Sequence, residues 1–139
     1  MSFDLRTFRD TLGLFVTGVT VITTRDSRGL PVGITANSFN SVSLDPPLIL
    51  WSVGLNALSL QAFSNASAFA VHILREDQAD LSQRFARSGE DKFTGLNIES
   101  GLNDVPLLPD CAARLESKQQ AQRTAGDPRR GIARDQRLA

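Results

Sequence analysis

Leu5, Phe8, Leu12 and Phe15 recur at steps of three, four and three. That spacing lines one face of a helix, which Gly18 would end. From Val19 to Thr24 the chain reads VTVITT and predicts a strand, because β-branched side chains suit a pleated sheet. Arg25 to Gly29 is a polar turn, and Pro31 to Thr35 begins a second strand, so the two predict a hairpin. Leu48 to Val53 (LILWSV) is almost wholly apolar, the pattern of a strand covered on both faces. Asn56 to Asn65 predicts a short helix with Asn56 at its N-cap. Ala68 to Leu74 (AFAVHIL) predicts another strand. Asp77 to Ala86 predicts a second helix, capped by Asp77, with Leu81 and Phe85 on the core side. Residues 88–110 are rich in Gly and Pro and read as loop, and Cys111 to Leu115 starts a further strand. Several strands with short helices at the margins predict a mainly β fold, a closed or nearly closed barrel with peripheral helices.

Composition narrows the chemistry. The chain has 139 residues, which suits one core, and a formal net charge of zero. That balance offers no global attraction to nucleic acid or to an anionic membrane. No apolar run approaches the roughly 20 residues of a membrane helix, and the N-terminus lacks the apolar stretch of a signal peptide. A cytoplasmic protein is expected. Cys111 is the single cysteine and His72 the single histidine. A disulfide is therefore impossible within the chain, and no metal site is expected. Trp51 reads as core, Cys111 as a small buried residue and His72 as a hydrogen-bonded strand histidine.

The segment from Gly33 to Pro47, GITANSFNSVSLDPP, stands out. It holds Thr35, Asn37, Ser38, Asn40, Ser41 and Ser43, and its only charge is Asp45. A solvated loop would carry more charge, and a half-buried strand would alternate more strictly. A row of small hydroxyl and amide groups suits a flat ligand with many hydrogen-bonding atoms. The same residues could instead form turns that cap their own backbone.

Three blocks carry a resemblance. FRDTLGLFVTGVTVITT, GITANSFNSVSLDPPLILWSV and FAVHILREDQADLSQRFA resemble, in order and spacing, the short-chain flavin reductases. The resemblance runs from about Phe8 to Leu115. It implies an FMN-binding split β-barrel of Greek-key type, a homodimer, and hydride transfer from NADH or NADPH to FMN or FAD. It further implies a possible partner, a flavin-dependent monooxygenase that uses the reduced flavin. A flavin brings its own redox centre, so the protein supplies binding and orientation, and catalytic side chains stay unassigned. By this likeness Thr35, Ala36, Asn37 and Ser38 line the flavin, and Ser52, Asn56 and Ser59 meet ribityl and phosphate oxygens. Lys92 occupies a position where the family often has a basic residue near the flavin; its plainer reading is a solvated charge. Ser59 could equally be a helix-surface serine.

The family's second motif is Gly-Asp-His, with the histidine near the nicotinamide. Here Ala125-Gly126-Asp127 is followed by Pro128. From Glu116 to Ala139 there are six bases, three acids and only Ile132 and Leu138 as large aliphatic residues. Such a segment buries too little apolar surface to offset its ordering entropy. The expectation is an incomplete barrel domain over residues 1–116, lacking its last strands, and a disordered basic tail over 117–139. Two alternatives stay open beside the reductase: an FMN-binding split barrel without turnover, and an inactive chain that acts only as an interaction module.

Overall fold

In the computed structural model, residues 19–36, 40–44, 47–53, 59–87, 92–124 and 129–138 are described. The predicted N-terminal helix with Leu5, Phe8, Leu12 and Phe15 lies outside them. So do Asn37, Ser38 and Asn56.

The hairpin forms where the pattern places it. Strand β1 (Thr20–Arg25) pairs antiparallel with β2 (Pro31–Ala36), Val21 opposite Thr35 and Thr23 opposite Gly33. Asp26 builds the turn: its carboxylate accepts the Arg28 and Leu30 N–H groups at 2.9 and 3.0 Å. Gly29 takes φ +82°, a left-handed conformation that favours glycine. The Ser/Asn segment contains β3 (Asn40–Leu44), which pairs with β4 (Pro47–Val53). Within the stretch predicted as a helix after β4, α1 spans Leu60–Asn65, with Ser59 at the N-cap position. Strand β5 (Ala68–Ile73) is buried throughout. The second helix begins as a 3-10 turn over Glu76–Gln78 and continues as α2 (Ala79–Ala86). Within the expected loop, β6 (Glu99–Ser100) and β7 (Pro106–Leu107) form a small separate hairpin.

The C-terminus differs most from expectation. Strand β8 spans Ala113–Thr124, across the boundary expected at residue 116, and β9 (Arg129–Leu138) pairs with it. The sheet order is β2-β1-β5-β8-β9-β4-β3. Residues 117–124 and 129–138, expected as a tail, thus lie in strands, and β9 joins the β3–β4 hairpin to the rest of the sheet. The physical reason is that composition counts side-chain burial, whereas a strand placed between two others is held by backbone hydrogen bonds. Those bonds are available to arginine as to valine.

One principal core lies inside the curled sheet. It joins Ile22, Ala36, Ile49, Trp51, Phe63, Phe69, Val71 and Leu115, with Val32, Ile34 and Leu60 against it. Residues of β2 and β4, far apart in sheet order, thus share one interior, as a barrel requires. Trp51 meets Phe63 and Phe69 edge to face, with centroids 4.9 and 5.5 Å apart. A second cluster, Val21, Leu74, Phe85 and Leu108, seats α2 on the opposite side of β1.

Gly33 belongs to that seat. A Cβ there would lie 2.6 Å from Phe85 Cε1 and 3.1 Å from Phe93 Cζ. Gly33→Ala is expected to cost about 1–3 kcal/mol, by the usual penalty for overpacking a filled core. A urea midpoint equal to that of the parent protein would refute the close approach.

Candidate functional site

The expected flavin-facing block begins at the end of β2, so the surroundings of that strand decide what its residues can offer. Thr35 Oγ1 donates to the Ser82 carbonyl of α2 at 2.6 Å. The Thr35 hydroxyl is therefore committed to the helix. Ala36 is buried in the principal core, and its carbonyl accepts the hydroxyl of Thr20. What this part of β2 can present to a ligand is backbone.

Lys92 is likewise engaged. Its Nζ donates to the carbonyls of Gly33 and Phe85, each at 3.0 Å. Burial, and next the charge of Arg87, hold its pKa below the ordinary lysine value. It is neither the solvated charge of the plainer reading nor a free cation. Arg84 supports it from α2: Nε donates to the Lys92 carbonyl at 2.6 Å, and the guanidinium also reaches the Thr94 carbonyl. Sequence reading passed over Arg84. The available signal was its place in the last turn of the helix, eight residues ahead of Lys92.

The second expected contact region starts at the end of β4. Ser52 stands in register with Arg130 of β9, and Val53 with Arg129. Ser59 is half-buried; its carbonyl accepts the Phe63 N–H at 3.1 Å, and its hydroxyl makes no capping bond. That hydroxyl is a small donor not used by the helix. Because Ala36, Trp51 and Phe63 share the principal core, β2, β4 and α1 are carried on one packed body.

His72 is wholly buried, with both ring nitrogens occupied. The Leu108 N–H donates to Nε2 at 3.0 Å, so Nδ1 carries the proton and donates to the Val21 carbonyl, also at 3.0 Å. Burial is the main cause that pushes its pKa down to about 4; the Val21 bond opposes it and Arg114 adds to it. The imidazole is neutral and structural, as the sequence suggested. Cys111 is half-buried, and burial raises its pKa. Glu116 is buried and accepts the Leu102 N–H at 2.8 Å. That role had no sequence signal, because a separate hairpin brings Leu102 to it.

The donor set is small, uncharged and partly backbone, with no group of three His, Cys, Asp or Glu residues placed for a metal among the described residues. It fits a group that needs orientation and hydrogen bonds rather than a nucleophile. No helix among the described residues is long and apolar enough to cross a membrane.

The fold is the split barrel of solved flavin reductases. Residues 12–132 match the flavin reductase like domain, well beyond the point near Leu115 where the sequence resemblance was expected to end. The chain belongs to the flavin reductase family. It is 48% identical over 122 residues to the FMN reductase (NADH) SmoA of Agrobacterium fabrum, covering 88% of this chain and 69% of that protein. It is 45% identical over 125 residues to the stachydrine N-demethylase reductase subunit Stc3 of Rhizobium meliloti, covering 90% and 54%. Among solved structures, the NADH:FAD oxidoreductase SgcE6 of Streptomyces globisporus, in complex with NAD and FAD fragments, superposes with a TM-score of 0.80 at 31% identity. That match covers 100% of this chain and 86% of that one. The share of curated relatives that the chain spans runs as low as 40% of their length.

Proposed function

We propose that this protein is an NAD(P)H-dependent flavin reductase that acts on FMN or FAD. The observation that carries the reading is the continuous family match over residues 12–132, laid on a barrel whose candidate site offers small uncharged donors. When bound, the flavin supplies the redox centre and accepts the hydride. The chain's part is to hold the ring along the backbone of residues 35–38, with Asn37 and Ser38 adding their side chains. Ser52, Asn56 and Ser59 supply donors for the ribityl and phosphate oxygens. The barrel core keeps β2 and β4 at fixed separation, so the two contact regions grip one ligand.

The wider setting follows from the same reading. The protein works as a cytoplasmic homodimer and passes reduced flavin to a flavin-dependent monooxygenase. The reductase subunit and reductase component names of its relatives support this role.

The test is consumption of NADH and NADPH by the purified protein, with and without added FMN or FAD. Flavin-dependent loss of the nicotinamide absorbance is expected. Yellow protein that consumes neither nucleotide would overturn the reductase reading in favour of a flavin-binding protein without turnover.

A further inference from the structure

Among the described residues, strand β2 is one edge of the seven-stranded sheet, bonded to β1 on one side only. An edge strand bends and twists more easily than an inner one. Yet the candidate flavin block follows directly from its last residues. Something must fix that edge if residues 35–38 are to hold a flat ligand in one pose.

The observed contacts supply the means. Thr35 Oγ1 ties the strand to the Ser82 carbonyl of α2. Lys92 Nζ ties it two residues earlier, at the Gly33 carbonyl, and reaches the Phe85 carbonyl of the same helix. Arg84 in turn holds the Lys92 and Thr94 carbonyls. Between these ties the absent side chain of Gly33 lets the Phe85 ring press on the strand, and Phe93 packs on Phe85 with centroids 5.0 Å apart. The Thr35 and Lys92 ties join one strand edge to one helix, and Arg84 joins that helix to the loop that carries Lys92.

We propose that Lys92 and Thr35 are positioning residues: they clamp the edge of β2 onto α2 and act on the flavin through the strand rather than by touching it. The inference rests on the flavin-reductase reading and changes the role that resemblance gives both residues. A clamp of this kind sets affinity for the flavin, because the binding backbone is ordered in advance. It leaves the nicotinamide step largely alone.

The experiment is a double-mutant cycle on flavin binding, followed by quenching of flavin fluorescence, with Lys92→Met, Thr35→Val and the pair. Each single variant is expected to weaken FMN binding about fivefold to tenfold and to raise the flavin KM in proportion. For Lys92→Met the KM for NADH and the kcat at saturating flavin stay within about twofold. The pair is expected to weaken binding little more than either single variant, because both ties serve one clamp; independent contacts would multiply. Lys92→Arg, which keeps the donors and the charge, should recover most of the affinity. If Lys92→Met fails to fold, Lys92→Gln takes its place in the cycle. Multiplicative losses would mean that Lys92 or Thr35 touches the flavin directly, and unchanged affinity in the single variants would mean that no clamp operates. Either result overturns the proposal. Absence of flavin binding by the parent protein is a separate outcome, which overturns the functional reading itself.

Discussion

Replacing His72 with leucine is expected to destabilise the fold by about 2–5 kcal/mol, since each buried backbone group left unpaired costs about 1–3 kcal/mol. Two such groups depend on the imidazole: the Val21 carbonyl of β1 and the N–H of Leu108. Leucine fills much of the space but offers neither a donor nor an acceptor. The same ring should make the parent protein sensitive to acid. The folded pKa is depressed to about 4 from an ordinary 6.5, so the unfolded chain takes up a proton in that interval and the folded chain does not. The contribution is fully present above pH 6.5 and is lost as pH falls towards 4. By the conversion of pKa difference to free energy it amounts to about 3 kcal/mol. His72→Leu lacks this titration. Urea unfolding at pH 7.5 and pH 4.5 should therefore show the gap between parent and variant narrowing in acid. A gap that stays constant would mean that His72 is not held neutral.

Truncation of Trp51 to alanine is expected to cost about 3–5 kcal/mol, the usual range for deleting a large buried aromatic side chain. Trp51 is 2% exposed and sits between Phe63 of α1 and Phe69 of β5, with Ile49 and Leu115 in the same cluster. Its loss opens a cavity beneath both halves of the candidate site, so flavin affinity should fall with stability. Trp51→Phe should behave differently. The indole Nε1 is buried and finds no hydrogen-bond partner among the described residues, so phenylalanine removes an unsatisfied donor while keeping an aromatic ring. Its cost is expected to be less than half that of alanine. Thermal unfolding of the two variants side by side measures the difference; equal losses would show that the indole donor has a partner that matters.

Much of the fold was legible before any coordinates. The β-branched run at β1, the polar turn and the apolar runs at β4 and β5 marked strands because one local property, side-chain shape or burial, dominated each of them. The core role of Trp51 and the structural, hydrogen-bonded role of His72 were legible for the same reason. The C-terminal strands were not. Lys118, Arg129 and Arg134 carry no strand signal, and their pairing depends on neighbours contributed from elsewhere in the chain.

The candidate site divides along the same line. Residue types alone pointed to a hydroxyl-rich block suited to a flat ligand with many hydrogen-bonding atoms, and three blocks in register pointed to the family and its flavin. Which hydroxyls and charges remain available to a ligand was settled by tertiary contacts. Thr35 and Lys92 look alike, in sequence, as ligand contacts or solvated groups. Only the approach of α2 to the edge of β2 commits the threonine hydroxyl to Ser82 and the lysine to Gly33 and Phe85. A side chain's chemistry is set by its own atoms, but the partner that uses it is set by elements tens of residues away. Local pattern therefore determined strands and core, the family resemblance implied the cofactor class, and tertiary packing decided which polar side chains are engaged within the fold.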